Sequence, residues 1–458
     1  MRFADLIRRS ALALLCFAGC SGTAFATDPA VLKAQLEALP GVVQVTQAST
    51  PIADTLFFRI DFSQPVDHAD PSGPSFNQRM TLLHRGESLP MVLVTEGYGT
   101  PQNLRQSELA YYLQANQLRV EHRFFVPSSP DPQDWSKLDI AQAAADHHAI
   151  TQSLKTIYAA KWVATGASKS GMASIYFRYF YPDDVAATVP YVAPSSHGVY
   201  DGRYVQFLSR VGPADCRARL RSFQELALSR RSSLVDSIPD YDYGYLGKDR
   251  AFEFMVLELP FAFWQYQSVA LCPAIPVAGA SDGELLDFID TIVGLSFYAN
   301  DTLEYYSPYF YQSATQLGGP RYDDRGLTGL LYPRQDVPAN YPPYVSKTFD
   351  SGAMPDIEEW MRTMGQRVLL IYGENDPWST GAFEVRARND AHRLYVRGEG
   401  GNHGASIARM SDSDRDFALA KLQEWLGLTP FAKQAIAPAR ARDLHGIDEP
   451  TREELFLH

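Results

Sequence analysis

The sequence predicts an α/β fold: a mostly parallel sheet flanked by helices, with a mainly helical cap inserted between two parts of the core. Three observations carry this. Met91–Thr95 is a short, continuous apolar run, the habit of a strand buried on both faces. Strand and helix patterns alternate from Val120 to Ala193 and again after residue 353, the βαβ unit of a parallel sheet. Between about His197 and Gly352 the alternation breaks in a Tyr- and Phe-rich segment with helical patterns such as Cys216–Ala227. The expected layout is a core at 27–196, a cap at 197–352, a second core part at 353–435 and a tail at 436–458.

The first 26 residues are set apart from this layout. Arg2, Arg8 and Arg9 precede the apolar run Ala11–Phe17, and Ala24, Phe25 and Ala26 form a small-x-small cleavage site. Residues 1–26 therefore read as a secretory signal peptide, too short to span a membrane. Phe17-Ala18-Gly19-Cys20 also resembles a lipoprotein box in which Cys20 would be acylated. Cleavage after Ala26 is preferred, because such boxes usually carry Leu where Phe17 stands. Either route exports the protein, to the periplasm or beyond.

Losing Arg2, Arg8 and Arg9 together with Asp5 moves the net charge from −12 to −14. An acidic chain with no basic run has little to neutralise phosphates, which argues against nucleic-acid binding. Of the four cysteines, Cys16 and Cys20 fall in the signal, leaving Cys216 and Cys272. An even pair in an oxidising compartment suggests one disulfide, with two buried thiols as the alternative. Neither cysteine has a Cys or His at ligand spacing, so no metal site is expected, and no cofactor is called for. No internal repeat is present, which excludes a multi-module array. Oligomeric state is left open.

In chain order, Leu56–Phe62 and Gln78–His84 read as strands separated by the turn-rich Asp70–Pro74. After the strand Met91–Thr95 comes Glu96-Gly97-Tyr98-Gly99, whose glycines free the backbone to turn and aim N–H groups into a cleft. Val120–Phe125 reads as a strand, on which Glu121 and Arg123 would share one face and pair structurally. Leu138–Ile150 reads as a helix. The stretch Lys161–Met172 then runs from an apolar strand through a tight turn into a helix. Its centre, Gly166-Ala167-Ser168-Lys169-Ser170-Gly171, has the form of a nucleophile elbow: a serine on a strained turn, its hydroxyl lifted above the sheet, with small residues two positions to either side. The helix Met172–Tyr181 stops at Pro182. Ala186–Ala193 is the next strand, with Pro190 marking a bend or bulge, and the cap follows this sixth strand.

After the cap, Gln366–Tyr372 and His392–Val396 read as strands, and Ser411–Leu426 as a closing helix. Asp376 follows the first of these strands and His403 the second, at the sheet edge that also carries Ser168. This is the chain order Ser, Asp, His of an α/β-hydrolase triad. A serine hydroxyl is a weak nucleophile at neutral pH. His403 would take its proton, and Asp376 would hold the imidazole in the productive tautomer.

Several longer stretches resemble one family. Gly166–Met172, Tyr191–Pro194, Thr95–Gly99, Glu121–Phe125, Gln142–Asp146 and Leu257–Gln265 are similar to the secreted bacterial tripeptidyl aminopeptidases, serine peptidases with an α/β-hydrolase core and a helical cap. The resemblance covers nearly the whole mature chain and departs at Ser170, where the family typically has Gly; a serine is small enough to keep the turn. It implies an exopeptidase releasing short, tripeptide-sized pieces from free N-termini of peptides, with a preference for proline near the cut. The oxyanion would be held by the backbone N–H of Lys169 and one from the Gly97–Tyr98 turn, the Lys169 side chain being incidental.

An aminopeptidase must also recognise an ammonium, which calls for a carboxylate at a fixed distance from the serine. Glu258, set among aromatic residues of the cap, and Glu96, beside the oxyanion turn, are the candidates; an arginine partner in the cap is the structural alternative for Glu258. A secreted carboxylesterase or lipase-like hydrolase is the competing reading, since the same triad cleaves esters.

Overall fold

In a computed structural model, which describes residues 28–332 and 341–428, nine strands form one sheet. They are β1 (Val42–Ala48), β2 (Leu56–Pro65), β3 (Ser75–His84), β4 (Met91–Thr95), β5 (Asn116–Val120), β6 (Trp162–Ala167), β7 (Ala187–Tyr191), β8 (Leu369–Gly373) and β9 (His392–Val396). Their order across the sheet is β1-β2-β3-β5-β4-β6-β7-β8-β9. The first four in that order pair antiparallel, and from β5 to β9 every pairing is parallel. The expected signal segment with Cys20 and the expected tail from 436 lie outside the described residues.

Burial follows strand type. β4, β5, β7 and β8 are buried at every position, as parallel strands covered on both faces must be. Alternate residues of β4 face different cores: Val92 and Val94 pack with Leu419, Leu422 and Trp425 of the closing helix Asp412–Leu426. Met91 and Leu93 pack with Ile150 and Leu154 of the helix Ile140–Leu154 and with Phe177. Between β7 and β8 the cap builds a core of its own, whose buried residues all lie from Tyr204 to Tyr341. Its axis is the helix Lys248–Tyr266. The Cys216–Cys272 disulfide forms, tying the helix Ala214–Ser229 to the turn Val269–Ala274.

Three expectations are corrected. β1 precedes the first expected strand, so the cap follows the seventh strand rather than the sixth; only Val45 of β1 is buried, and its pattern carries little signal. The strand expected at Val120–Phe125 instead ends at Val120. Glu121–Phe125 form a buried turn with Phe124 at φ 71°. Within it, Glu121 pairs with Arg79 at 2.7 Å and Arg123 with Asp146 at 2.7 Å, so both are structural but do not share a strand face. Finally, β7 passes through Pro190 in regular register with β6, Gly166 opposite Pro190, without a bulge. Thr188 and Val192 on either side donate to Arg367 O and Ile371 O toward β8. Pro190 therefore removes one rung from the ladder to β8 rather than bending the strand.

Candidate active site

β5 follows β4 in the chain but lies on its far side from β6. The connection from β4 thus runs to one side, to β5, and that from β6 to the other, to β7, so the loops at the C-terminal ends of β4 and β6 part to form a crevice, where open α/β sheets bind ligands. Glu96–Gly99 leave β4 at this crevice and Ser168 leaves β6.

Ser168 sits at φ 56°, ψ −123°, a region that strains an L-residue by about 1–3 kcal/mol. Its N–H donates to Tyr191 O at 2.9 Å, and its carbonyl accepts from Met172 N–H at 2.9 Å. The turn requires its glycine at 166, since a Cβ there would lie 2.5 Å from the carbonyl of Ser170. The helix Lys169–Phe180 begins immediately after, which brings unpaired N–H groups and the positive end of its dipole to the serine.

The two residues after Ser168 grip Gly97 from both sides. Ser170 Oγ accepts from the Gly97 N–H at 2.8 Å, and Lys169 Nζ donates to the Gly97 carbonyl. The approach is so close that a Cβ on Gly97 would lie 2.8 Å from Lys169 Cβ and from Ser170 N. Two expectations change as a result. The Gly97 N–H is engaged by Ser170 Oγ, so of the two residues expected to offer an oxyanion donor from this turn only Tyr98 remains a candidate. The Lys169 side chain is not incidental: it is 1% exposed and lies 5.3 Å over the rings of both Tyr98 and Phe125. Burial holds its pKa well below the usual lysine value.

Glu96 is corrected too. Its Oε1 receives Arg119 Nε at 2.7 Å, and its Oε2 accepts from Ser170 Oγ at 3.4 Å. It braces the turn, and its charge is met by a buried arginine rather than offered to a ligand.

Asp376, in the loop after β8, is fully buried. Its Oδ1 accepts from Trp378 N–H at 3.1 Å, while Oδ2 and His403 Nδ1 are 2.8 Å apart. The His403 loop after β9 is fixed by the cap, since His403 N–H donates to Gln265 O at 2.9 Å. Tyr266 and Trp378 flank the imidazole at 6.1 and 6.3 Å between ring centroids. A Cβ on Gly373 would lie 2.3 Å from Asn402 O, so the two loops touch at their bases. His403 Nε2 is buried and has no hydrogen-bond partner among the described residues.

Glu258 lies on the helix Lys248–Tyr266 and accepts from Tyr298 OH, which is 2.9 Å from Tyr322 OH. Two arginines of the cap, Arg231 and Arg250, pair with Glu253 of the same helix at 2.6 Å. Burial, and after it the charge of Glu258, raises the pKa of Tyr298, Tyr309 and Tyr322, which puts the carboxylate within electrostatic reach of all three. Tyr309 and Tyr306 in turn stand 5.9 and 5.5 Å from the Tyr98 ring. An aromatic wall therefore runs from the oxyanion turn to Glu258. Sequence reasoning missed these tyrosines as individuals; the only signal was the Tyr enrichment of the cap.

A parallel sheet with helices on both faces, a strained serine at a strand–helix turn and a buried Asp–His pair on the next loops along the same edge define an α/β-hydrolase. Comparison with known proteins narrows this: the chain belongs to the PS-10 peptidase S37 family, whose sequence profile matches residues 26–453. It is a serine peptidase. The prolyl tri/tetrapeptidyl aminopeptidase of Streptomyces mobaraensis is 39% identical over 448 residues, covering 93% of each chain. Among solved structures, the proline iminopeptidase of Mycobacterium smegmatis aligns over 83% of this chain and 99% of its own, at 12% identity and TM-score 0.38. VinJ aligns over 84% and 99% at 10% identity and TM-score 0.36. Scores this low carry no argument about function.

Proposed function

We propose that the protein is an exported exopeptidase that cuts tri- or tetrapeptides from free N-termini, with a preference for proline before the cut. The single observation that carries the reading is the buried 2.8 Å contact between Asp376 and His403 on the loops beside the strained Ser168 turn. With Asp376 accepting the Nδ1 proton, neutral His403 keeps its Nε2 lone pair free to act as a base. Ser168 Oγ attacks the scissile carbonyl and His403 Nε2 takes its proton. The oxyanion is held by the N–H groups of Lys169 and Tyr98, preorganised by the Gly97 clamp. His403 then passes the proton to the leaving amine, and water hydrolyses the acyl-enzyme by the same route.

Glu258 receives the substrate ammonium across the wall of Tyr98, Tyr306 and Tyr309, whose ring faces suit a proline ring. The name of the Streptomyces relative supports the product length and the proline preference. Export is supported by the pattern of residues 1–26 and by the Cys216–Cys272 disulfide. No helix among the described residues is long and apolar enough to cross a membrane.

The test compares a tripeptide anilide ending in proline with its N-acetylated form. Loss of the ammonium should lower kcat/KM by about 10–100-fold, and Ser168→Ala should abolish turnover of both. If neither peptide is cleaved while short-chain esters are, the esterase reading replaces this one.

A further inference from the structure

A second cleft, of about 330 Å³, opens where the cap meets the loops that carry Asp376 and His403. One wall is the end of the cap helix and the turn after it, Gln267 to Ala270. The other is formed by Asn375, Gly398, Glu399 and Asn402. Its volume lies at the low end of sites that hold small ligands or short peptide segments.

Its position is the telling feature. Asn375 directly precedes Asp376 and Asn402 directly precedes His403, so one wall consists of the loops that carry the acid and the imidazole. Two hydrogen bonds fasten the His403 loop to the cap helix: Asn402 Nδ2 donates to Tyr266 O at 3.1 Å and His403 N–H to Gln265 O at 2.9 Å. The cleft is therefore rigidly registered to His403. Its surface is mixed. Val269, 44% exposed, supplies an apolar patch, and Gly398 leaves open space where a Cβ would stand. Glu399 is exposed and makes no ion pair among the described residues.

Proton bookkeeping says what must come here. His403 Nε2 gives its proton to the nitrogen of the departing amine, so that nitrogen, and the polypeptide attached to it, lies on the His403 side of the cut. An enzyme that trims the N-terminus of a longer chain closes one end of its site over the ammonium. The remainder of the chain must leave on the other side. We infer that the cleft between residues 267–270 and 398–402 binds the first residues of the leaving polypeptide in extended form, with Glu399 favouring a lysine or arginine among them. This rests on the exopeptidase reading above and extends it to the other side of the cut.

Three substrates separate the possibilities: a tripeptide anilide, whose leaving group is too short to occupy the cleft, and two decapeptides with the same first three residues, followed by a Lys-rich or a Glu-rich segment. The wild-type protein should cleave the Lys-rich peptide with a kcat/KM about fivefold above the Glu-rich one at low salt, the size that one exposed ion pair supports. Raising the salt should erase the difference. Glu399→Lys should reverse the order. Ala270→Trp, which fills the cleft, should lower kcat/KM for both decapeptides about tenfold relative to the anilide.

Anilide hydrolysis is the internal reference. If Ala270→Trp leaves the decapeptides unaffected, or slows the anilide by the same factor, the cleft is not the leaving-chain site. If Glu399→Lys leaves the charge preference in place, Glu399 does not set it. Failure of the exopeptidase reading looks different, because the wild-type protein would then ignore the anilide altogether.

Discussion

At the scale of single residues, the site depends on a clamp rather than on the elbow alone. Gly97 is gripped through its N–H by Ser170 and through its carbonyl by Lys169, which fixes the peptide that follows and so the direction of the Tyr98 N–H. Ser170→Ala keeps the volume of the turn but removes the acceptor. It should lower kcat about tenfold, the worth of one neutral hydrogen bond near its upper limit, with KM little changed. A rise in KM with kcat unchanged would show that Ser170 acts on substrate binding instead. Lys169→Met keeps the buried stem and removes the donor to Gly97. Its kcat should fall as well, and the double variant should lose less than the sum of the two, because both hold the same residue, Gly97, through the peptide groups on either side of it. Gly97→Ala has no such subtlety. A Cβ 2.8 Å from backbone forces the turn open, so activity should be lost in a protein that still folds.

At the scale of elements, the cap is held by its own core and by one covalent tie. Cys216 and Cys272 are 56 residues apart, and closing a loop of that length stabilises by about 4 kcal/mol in the chain-entropy account. Cys216→Ser combined with Cys272→Ser should therefore lower the midpoint of cap unfolding. Hydrogen exchange should rise in the helices Ala214–Ser229 and Lys248–Tyr266 before it rises in β4 or β8. Equal loosening of the sheet would mean that cap and core unfold as one unit. Below the sheet, Arg123 and Asp146 are both buried and joined by two 2.7 Å hydrogen bonds, with His68 a further 2.7 Å partner. Asp146→Asn leaves the Arg123 charge without its counter-ion and should cost about 3–5 kcal/mol, read from denaturant midpoints.

At the scale of the whole molecule, acid is the condition to which the fold should respond. Burial lowers the pKa of His84 and of His147 from 6.5 to about 4, and drives that of His122 well below its usual value. These imidazoles are neutral when folded and gain a proton more readily when unfolded. The stability they contribute is complete above the unfolded value of 6.5 and is lost as pH falls toward about 4. Tm should drop by roughly 5–10 °C between pH 7 and pH 4, and His147→Gln should shrink the drop. A flat Tm across that window would overturn the account.

Some of this was legible in the chain and some was not. β4 and β8 declared themselves by unbroken apolar runs, and the residues at their ends, Gly97 and Asp376, were placed correctly on that basis. β5 is read too far along the chain, at Val120–Phe125, because its own sequence, Asn116-Gln117-Leu118-Arg119-Val120, looks polar although every position is buried. Its side chains are consumed by partners elsewhere: Asn116 accepts from Arg85 N–H, Gln117 from Ser107 N–H, and Arg119 pairs with Glu96. The roles expected of Glu96, Gly97 and the Lys169 side chain failed for the same reason.

The sequence by itself determined the fold class and the chain order of the chemistry, because a strand's burial pattern and a turn's residue types are local properties of each segment. Only the tertiary structure decided which polar atoms are already engaged. Gly97 and Ser170 are 73 residues apart, and Glu258 and Tyr298 are 40 apart. Each such pair meets only because of the strand order or the packing of the cap, and no local pattern records it.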